Sequence, residues 1–518
     1  MSSVLDEVFE RFEPSPEFIS VMAGQEPTIV LGLDIGTSGV RAALFYERGD
    51  EIDGASARTN RHISTAADLE EIDADELVEQ VARTIDALFL RSPQSITRVE
   101  LVAISCFWHS LVGIGSNGRP TTPVLGWAHT QAAKAAEQLR RRFDEPEIHL
   151  RTGCRFHPSY WPAKLLWLQE QNTDAYKTTV RWLSFADYLV LRLFGETATS
   201  ISMASGTGFL NQRSCQWDSE FIETLNLSID SFPGLAAPTK TFAGLSYEYA
   251  LRWPQLNRAY LLPAIGDGAA NSIGAGCCTR KQMALMIGTS GAMRVLYEGE
   301  PPDDLRSELW CYRADRNRVL VGGALSDGGG LYGWIRESFA LGDDAQAIER
   351  ALGEMEPDSH GLTVLPFWAG ERSTGWSPSA RGAILGLTLD HRPIHILRAA
   401  MEAVAYRFAL VANALNQTAP NASIIASGNA LCSSPAWVEL IADVLGRPVL
   451  LSALREASTR GAVLLALEAT DNIESIQDSE VPVEKTFEPD MSRHARYQEG
   501  IERQAKVYDS LIGGPAIM

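Results

Sequence analysis

The sequence predicts an α/β protein built from two related lobes, and three observations support this fold class. The chain has 518 residues, and chains longer than roughly 250–300 residues usually divide into domains. A short segment occurs twice, about half a chain apart, as IGTSGVRAALF from Ile35 and as IGTSGAMRVLY from Ile287. Strand-like apolar runs alternate with amphipathic helical stretches in both halves, which is the pattern of α/β proteins.

The repeated segment predicts a β-hairpin with small and hydroxylated residues at its tip. In each copy one apolar run precedes a Gly-Thr-Ser-Gly turn and another follows it. These runs cover residues 28–33, 40–46, 283–286 and 293–297. Glycine and serine are typical of tight connections between strands. Two such hairpins indicate two lobes of related architecture that face each other.

We place the boundary between the lobes near residue 277. The first domain then covers residues 28–277, and the second covers residues 278–518. Residues 1–27 precede the first predicted strand and are interpreted as an N-terminal extension.

Several further elements follow from local pattern. Residues 74–89 are expected to be helical, and residues 101–107 to form a buried strand. A helix over 434–445 has Ser434 as its cap, Pro435 in its first turn and Gly446 at its end. Lys164 is expected on the solvated face of a helix that follows an aromatic cluster belonging to the core.

Composition and charge exclude several classes of function. The chain has 45 basic and 65 acidic side chains, a net charge of −20, and this argues against general affinity for nucleic acid or anionic membranes. Its N-terminus lacks the basic start and apolar block of a secretory signal. No apolar run reaches the length of a membrane span. We therefore expect a cytoplasmic protein and leave a homodimer open.

The cysteines indicate a reducing compartment. Their number, seven, is odd, and no C-x-x-C pair occurs. A disulfide framework or a zinc site is therefore not expected. The cysteines are interpreted as small buried apolar residues.

The first turn has the composition of a metal–nucleotide site. It begins with Asp34, followed by Gly36, Thr37 and Ser38. Glycines let the backbone approach a phosphate, and successive N–H groups and hydroxyls supply donors. A carboxylate beside phosphate indicates a magnesium ion between them. An ordinary hairpin turn is the alternative, and the second copy, Gly288-Thr289-Ser290, favours the phosphate interpretation.

Asp267 is the candidate general base. It lies in PAIGDGAAN, after a short apolar strand and at the predicted start of a helix. A carboxylate there can accept the proton of a sugar hydroxyl as the hydroxyl attacks a γ-phosphate. The alternative is a plain helix N-cap.

Candidate substrate residues follow a buried strand. His109 can hydrogen-bond a hydroxyl or carboxylate, and Trp108 can pack on a sugar face. A histidine at such a position is also common as a structural group, and composition alone favours a core position for Trp127. Gly428 and Asn429 form a glycine turn at the end of a strand, which can admit an adenine ring or ribose.

These motifs, in this order, resemble the FGGY family of carbohydrate kinases. DIGTSGVR, from Asp34 to Arg41, and IGTSGAMR, from Ile287, resemble its two phosphate motifs, and GDGAANSIGAG resembles the segment with its catalytic aspartate. HPSYWPAKLLW and RGAILGLTLDHRPIHILRAAMEAVAYR resemble its signature regions, and ASGNALCSSPAWVELIADVLGRPV its adenosine segment. The resemblance implies the two-lobed actin-like (ribonuclease H-like) ATPase fold, with the active site in the cleft between the lobes.

The resemblance also implies that the first domain carries the sugar-binding side and the second the ATP-binding side, and it implies roles for individual residues. Asp267 would be the base, and Asp34 would organise Mg²⁺ with its help. The ATP side would use Gly36, Thr37, Ser38, Arg41, Gly288, Thr289, Ser290, Gly428 and Asn429. The sugar pocket would include Trp108, His109, Trp127, Ser326 and Asp327. The implied cofactors are ATP and Mg²⁺.

Segments such as WHS from Trp108 and GGALSDGGG resemble the gluconokinase branch of the family. The implied reaction is phosphorylation of D-gluconate to 6-phosphogluconate. A xylulokinase or another ketopentose or polyol kinase is the alternative, and a non-catalytic sugar or nucleotide sensor is the alternative from another class. Retention of Asp34, Asp267 and both turns weighs against a sensor.

The chain also departs from the family pattern. Where the family reads W-x-D-x-R, this chain has His129 and Gln131 in place of the acid and the base. Ser326-Asp327 stands where gluconokinases have Asn-Asn. A pocket that hydrogen-bonds hydroxyls discriminates by about 10⁴ when one partner is lost, so these changes bear on substrate choice. Glu371 and Arg372 are functional by resemblance, without a physical account from the sequence.

Overall fold

Two mixed β-sheets, one in each half of the chain, form the framework of the molecule. The computed structural model describes residues 28–61, 71–92, 98–454, 456–478 and 483–513. The predicted extension over residues 1–27 lies outside these ranges. Within them, the helices are too short or too polar to cross a bilayer.

The strands of the first half are short outside the main sheet. In chain order they are β1 (Ile29–Gly36), β2 (Gly39–Tyr46), β3 (Glu51–Asn60), β4 (Glu71–Ile72), β5 (Val99–Cys106), β6 (Val112–Gly115), β7 (Val124–Leu125), β8 (Thr179–Leu183), β9 (Leu210–Asn211), β10 (Gln216–Trp217), β11 (Tyr260–Leu261) and β12 (Ile265–Gly266).

The first sheet has the order β11-β5-β1-β2-β3, with β12 also paired to β5. β1, β2 and β3 are antiparallel, whereas β5 is parallel to β1 and to β11 and β12. Its central strands are buried on both faces, as expected where parallel strands are covered on both sides.

The strands of the second half continue the series. They are β13 (Gln282–Ile287), β14 (Gly291–Glu298), β15 (Trp310–Arg313), β16 (Arg318–Leu325), β17 (Thr363–Leu365), β18 (Ala383–Leu385), β19 (Ser423–Ser427), β20 (Val449–Ser452) and β21 (Val483–Phe487).

The second sheet repeats the plan of the first. Its order is β15-β16-β14-β13-β19-β20-β21. β13, β14 and β16 form an antiparallel meander, and β19 lies parallel to β13 as β5 lies parallel to β1. The predicted hairpin is therefore the first connection of both sheets, and the inference of two related lobes from the repeat is confirmed.

Helices cover the faces of both sheets. Those of the first half are α1 (Ala74–Arg91), α2 (Ala133–Arg142), α3 (Glu145–Thr152), α4 (Trp161–Gln171), α5 (Thr173–Thr178), α6 (Phe185–Phe194), α7 (Ile201–Ser205), α8 (Ser219–Thr224), α9 (Tyr247–Arg252) and α10 (Asp267–Gly274). Those of the second half are α11 (Gly329–Ser338), α12 (Ala345–Glu354), α13 (Pro393–Leu415), α14 (Asn429–Cys432), α15 (Pro435–Leu445), α16 (Ala457–Ala469) and α17 (Met491–Tyr508).

The apolar core has one large cluster in each lobe and a third in an insertion of the first lobe. The insertion carries two small sheets, one formed by β6 and β8 and one by β9 and β10, and the helices α2, α3, α4, α5 and α8. Its core includes Phe156, Trp161 and Phe209. The insertion brings Trp127, His157 and Tyr160 toward the second lobe, where Trp376 packs on His157 and Tyr160.

Helix α16 belongs to the second half in sequence but packs against the first sheet. Val463 and Thr459 fill the space above Gly32 of β1. α16 also crosses α10 at small residues, since a side chain on Gly274 would overlap the carbonyl of Ala457, and one on Gly461 the carbonyl of Ala270. Close backbone contact of this kind needs glycine and joins the two lobes at one crossing.

Local predictions agree with the structure except at Lys164. α15 begins with Ser434 accepting from Trp437 N–H and ends at Gly446 in the left-handed region, as its cap residues predicted. Six of the seven cysteines are buried. The expectation that Lys164 lies on a solvated face is wrong, because its side chain is fully buried in α4.

Candidate active site

The first turn connects β1 to β2 at the edge where β1 and β5 end. Gly36 pairs with Gly39, which leaves Thr37 and Ser38 at the tip, where Ser38 is exposed. Asp34 lies two residues before this turn, and its Oδ1 accepts a hydrogen bond of 2.7 Å from Ser105 Oγ. Ser105 is the partner of Asp34 in the parallel register of β1 and β5, so the sheet itself positions the carboxylate.

Asp34 is a carboxylate in an unfavourable electrostatic position. Burial raises the pKa of Asp34 to about 6, the hydrogen bond from Ser105 opposes that rise, and the negative charge of Asp267 adds to it. A carboxylate whose proton affinity is raised by the negative charge of a second carboxylate is a position where a divalent cation is favourable.

Glycines of neighbouring segments lie against the second turn, Gly288–Ser290. Its Gly288 N–H donates to Ser290 O at 2.9 Å, and the first N–H groups of α11, those of Gly329 and Gly330, donate to Gly288 O and Thr289 O at 2.8 and 2.9 Å. A side chain on Gly428, which has φ of +95°, would overlap the backbone of Ile287. The turn is therefore fixed by close backbone contact.

The glycines at the start of α11 were not assigned a role from the sequence. A side chain on Gly328, Gly329 or Gly330 would crowd the backbone of the Gly288–Ser290 turn. The repeated glycines in SDGGG were the available signal, but only the structure identifies the turn as their contact.

Asp267 is the first residue of α10, and the N-cap position is Gly266. The alternative of a plain N-cap at Asp267 is therefore wrong. Its Oδ1 accepts a hydrogen bond of 2.8 Å from Gly268 N–H. Burial raises the pKa of Asp267, whereas the positive charges of Arg294 and Arg372 and the backbone N–H groups of Gly268 and Trp108 oppose that rise.

Arg294 is a buried cation beside this carboxylate. It lies on β14, just after the second turn, and its guanidinium packs against Gly268. Nη1 contacts Asn271 Oδ1 at 3.4 Å. Burial lowers the pKa of Arg294 to about 10, and the charge of Asp267 opposes that shift. Arg294 was quoted within a motif, but its contact with α10 could not be inferred from sequence spacing.

Trp108 supports the segment that carries Asp267. Its indole is buried and donates to Ser202 O at 2.9 Å. Side chains on Gly206, Gly266 or Gly268 would collide with this ring. The ring thus packs against backbone and against Tyr312, and the predicted contact of Trp108 with sugar stays a prediction.

His109 has a defined tautomer. It has φ of +66°, and its Nδ1 lies 2.6 Å from the carbonyl of Gly206. A carbonyl accepts, so Nδ1 carries the proton and Nε2 is an acceptor. Burial, together with the charge of Arg372, holds the pKa of His109 well below its usual range. His109 is therefore neutral near pH 7 and suited to accept from a hydroxyl.

Ser326 and Asp327 follow β16 and line one small cavity with Arg372. Asp327 Oδ2 accepts from Ala369 N–H at 3.1 Å. Burial raises the pKa of Asp327 to about 7, and the backbone N–H groups of Ala369 and Trp368 oppose that rise.

Arg372 and Trp127 meet across the two halves of the chain. The guanidinium carbon lies 5.6 Å from the centre of the Trp127 ring. A cation over an indole is favourable. This pairing gives Arg372 the physical role that the sequence did not supply.

Glu371 anchors the loop that carries Arg372. Its buried carboxylate pairs with Arg407 and accepts from Tyr508 Oη at 2.6 Å and from Gly375 N–H at 3.1 Å. Tyr508 ends α17, so the last helix stabilises this loop. Glu371 is thus a supporting residue, whereas Arg372 lies over Trp127 and lines the small cavity with Ser326 and Asp327.

The two departures from the family pattern have different surroundings. His129 is 1% exposed, and neither ring nitrogen has a hydrogen-bond partner among the described residues. Its ring packs on Trp167. Gln131 is exposed and donates to Glu71 at 3.2 Å.

The remaining residues predicted to bind the nucleotide are Gly428, Asn429 and Arg41. Gly428 and the exposed Asn429 follow β19, beside the second turn. Arg41 is held by Glu51 at 2.6 and 2.7 Å and by Glu456 at 2.8 Å. Because two carboxylates occupy its guanidinium, a role of Arg41 at the nucleotide stays a prediction.

The site as a whole brings together residues from both lobes. Asp34 and Asp267 come from the first lobe, Arg294 and Arg372 from the second, and each charge acts on its neighbours. Two partly exposed carboxylates with oxygen donors match the ligands that Mg²⁺ prefers. Phosphoryl transfer needs a base, a site for a metal ion and groups that bind phosphate, and Asp267, the pair of carboxylates and the two glycine-rich turns are the candidates for these roles.

Comparisons with known proteins agree with this chemistry. The FGGY family of carbohydrate kinases matches through its N-terminal domain over residues 29–274 and its C-terminal domain over residues 283–470. The gluconokinase of Bacillus subtilis (strain 168) is 29% identical over 498 residues, which cover 93% of this chain and 94% of that protein. The xylulose kinase of Escherichia coli (strain K12) is 27% identical over 496 residues, with coverages of 93% and 99%.

A solved structure extends the likeness to three dimensions. The gluconate kinase from Lactobacillus acidophilus superposes with a TM-score of 0.85 at 26% identity, and the match covers 94% of this chain and 98% of that one. The expected two-lobed actin-like fold is confirmed. Both family domains are present in order and meet at the α10–α16 crossing, so the chain belongs to the FGGY family of carbohydrate kinases and is a phosphotransferase.

Proposed function

We propose that the protein transfers the γ-phosphoryl group of ATP to D-gluconate, with 6-phosphogluconate as product. The observation that carries the phosphoryl-transfer chemistry is the position of Asp267. This carboxylate begins α10 and is partly exposed; its charge acts on Asp34, and the charges of Arg294 and Arg372 act on it.

Asp267 would act as general base. The sugar hydroxyl loses its proton to the carboxylate while its oxygen bonds to the γ-phosphorus, and the bond to the β–γ bridging oxygen breaks to release ADP. Burial raises the proton affinity of Asp267, which favours proton acceptance late in the transfer.

The metal would be held by Asp34 and Asp267. When bound, Mg²⁺ supplies charge neutralisation for the phosphate groups. The remaining donors are protein groups: the backbone N–H groups and hydroxyls of Thr37, Ser38, Thr289 and Ser290. Closure of the lobes about the α10–α16 crossing would exclude water and limit wasteful hydrolysis of ATP.

Two observations favour gluconate over a neutral sugar. Relatives named gluconokinase or gluconate kinase resemble the chain in sequence and in structure. The pocket also contains Arg372, a cation without a carboxylate partner among the described residues. Xylulose kinases resemble the chain over a similar length, so a ketopentose is the second candidate.

The test is ADP release from Mg-ATP with D-gluconate, D-xylulose, D-ribulose, L-ribulose and glycerol. We expect turnover on D-gluconate and its loss by at least about 10³-fold in Asp267→Asn, which keeps the shape but cannot accept the proton. A matched control is Asp343→Asn, at an exposed aspartate outside the site.

Each outcome has a distinct meaning. Turnover on another sugar alone would keep the mechanism and replace the substrate. Full activity in Asp267→Asn would refute the base. Nucleotide binding without turnover on any of the sugars would contradict the proposed reaction and favour a sensor.

A further inference from the structure

A cavity outside the proposed active site lies between the two lobes, and we call it the inter-lobe pocket. It has a volume of about 510 Å³, and small-molecule sites usually have volumes of about 300–1,000 Å³. The first lobe contributes Ser200 and α7, the loop over residues 236–240 and residues 262–265. The second half of the chain contributes the turn between β15 and β16 and the helix α16. Among the described residues that line the pocket, none belongs to either glycine-rich turn or to the pair Asp34 and Asp267.

The floor of the inter-lobe pocket is apolar and lies at an interruption in the edge of the first sheet. β5 pairs with β11 through residues 101–102 and with β12 through residues 105–106. Residues 103–104 lie between these pairings and line the pocket, as do Leu262 and, from α16, Leu465. Both leucines are only half-buried. The apolar part of a ligand would remove their remaining surface from water, which is favourable.

The turn between β15 and β16 brings an unpaired cation to the pocket. The acidic residues that line the pocket are Asp315 and Glu468, and both form ion pairs with Arg318, at 2.7 and 2.6 Å. Lys240 of the first lobe is a further lining cation with its own carboxylate partner at 2.9 Å. Arg316 also lines the pocket, and its guanidinium has neither an ion pair nor a hydrogen bond within the part of the chain that the structure describes. An acidic group in the pocket can pair with this arginine through two parallel hydrogen bonds.

The wall of the pocket continues into the segment that carries the proposed base. Ala264 lines the pocket three residues before Asp267, and its carbonyl accepts from Ser200 Oγ at 2.5 Å. Ser202 also lines the pocket, and its Oγ accepts from Gly266 N–H at 3.1 Å. A ligand in the pocket would therefore contact the residues that hold the start of α10.

We infer that the inter-lobe pocket is a second binding site, which takes a small amphipathic anion and slows phosphoryl transfer when it is occupied. The apolar body would lie on Leu262 and Leu465, and the acidic group would pair with Arg316. Since the walls of the pocket come from both halves of the chain, such a ligand favours one relative position of the lobes. A ligand with different affinities for two conformations shifts the population between them, and movements of domains limit turnover in many enzymes.

The binding test uses two fluorescent probes that share one ring system. Anilinonaphthalene sulfonate carries a negative charge, and phenylnaphthylamine has the same rings without the sulfonate. Titration of the full chain, without sugar or nucleotide, should show saturable binding of the sulfonate at a single site. We expect its Kd to be at least about 10-fold lower than that of the neutral probe, because hydrogen bonds to charged groups are stronger than neutral ones.

Two variants test the two ends of the pocket. Arg316→Gln should raise the Kd of the sulfonate about 10-fold and leave the Kd of the neutral probe unchanged, because only the charged pair is lost. Leu465→Trp places a larger side chain at the apolar floor and should weaken the binding of both probes. Arg316→Gln keeps the test decisive if Leu465→Trp does not fold. Arg141→Gln is the control for loss of one positive charge, because Arg141 is 81% exposed on α2.

The kinetic test measures kcat with saturating Mg-ATP and whichever sugar gives turnover, with and without the sulfonate probe. We expect the probe at saturation to lower the kcat of the wild type by at least about 5-fold, the lower end of the usual coupling between two sites. More sugar or more ATP should not relieve this inhibition, because the probe occupies a separate pocket. Each variant is compared with its own rate without probe, and inhibition of Arg316→Gln should need about 10-fold more probe.

Several results would overturn the inference. Absence of saturable binding, or binding that neither variant weakens, would refute the site. Displacement of the probe by Mg-ADP, without any effect of Leu465→Trp, would place the probe in the catalytic cleft instead. Equal affinity for the two probes would refute the preference for an anion, and an unchanged kcat with the pocket occupied would refute the link to phosphoryl transfer. The titrations contain no substrate, so their outcome is independent of whether gluconate is the sugar.

Discussion

The indole of Trp108 lies directly against the backbone of Gly266, in the space that a side chain at that position would need. The ring is fixed by a hydrogen bond of 2.9 Å from its Nε1 to Ser202 O. Gly266 immediately precedes Asp267. The position of Asp267, the proposed base, therefore depends on a glycine that admits a tryptophan ring.

Gly266→Ala should reduce catalysis through this contact. The added methyl group would collide with the indole and shift the start of α10 or the ring. Displacement of a catalytic group by about 1 Å can cost about 10²-fold in rate, so we expect kcat to fall by one to two orders of magnitude. Steady-state kinetics with saturating sugar and ATP measures the effect.

The matched control for this substitution is Gly333→Ala. Gly333 lies within α11, is exposed, and has open space where a side chain would be. Alanine is favoured over glycine in a helix by about 1 kcal/mol, so Tm should stay or rise and kcat should not change. Unchanged kcat in Gly266→Ala would show that Trp108 does not position the base.

Asp34 predicts a pH dependence of stability in the ligand-free protein. Burial raises its pKa from the ordinary value of 3.8 to about 6, so between these values the folded state binds more protons than the unfolded state. Stability from this group therefore falls as pH rises through this window and stays low above it. Asp34→Asn should raise Tm at pH 7 and have little effect near pH 4.

The response of Tm to Mg²⁺ distinguishes the loss of the Asp34 carboxylate from a general gain in stability. Mg²⁺ should raise the Tm of the wild type at pH 7, because binding to the folded state stabilises it, and should do so much less in Asp34→Asn. The variant should also lose activity. An equal response to Mg²⁺ in both proteins would refute metal binding at Asp34, and Asp343→Asn serves as the control.

The interactions of Glu371 predict two losses of stability of different size. Arg407→Leu leaves the buried carboxylate of Glu371 without its charge partner and should destabilise the protein by about 3–5 kcal/mol. Tyr508→Phe removes one hydrogen bond of 2.6 Å and should cost about 1–3 kcal/mol. Chemical denaturation measures both, and equal losses would contradict a dominant Arg407–Glu371 pair.

Both variants should also raise KM for the sugar more than KM for ATP. The reason is that the network positions the loop with Arg372. A change confined to stability would assign the network to folding alone.

Lys164 is predicted to fix the backbone of the sugar pocket. Its Nζ donates to His109 O at 2.6 Å and to Leu125 O at 3.1 Å. Lys164→Met leaves both buried carbonyls without these donors, at a cost of about 1–3 kcal/mol each, and should raise KM for the sugar. Lys134→Met, at an exposed lysine of α2, is the control, and a fully stable Lys164→Met with unchanged KM would contradict this role.

Local sequence determined much of the framework. Gly-Thr-Ser-Gly between apolar runs predicted both hairpins, because the turn and the strand pattern are properties of neighbouring residues. The caps of α15 were predicted for the same reason, since Ser434 and Gly446 act within one helical turn. The placement of Asp34 beside the first turn and of Asp267 at the start of a helix followed from such patterns.

Tertiary structure decided the contacts between distant segments. Lys164 looked like a surface lysine, because its helix alone does not reveal that the carbonyls of His109 and Leu125 enclose it. Arg372 and Trp127 come from different halves of the chain. No periodicity relates them, and their contact depends on how the second lobe packs against the insertion.

The same distinction applies to the site as a whole. Residue types and turns, read from the sequence, predicted a phosphate-binding site and a general base. Packing decided which cations act on Asp267 and which glycines hold the second turn. It also decided how α16 returns to the first sheet. Burial and close backbone contact are properties of the assembled lobes, and short stretches of sequence do not encode them individually.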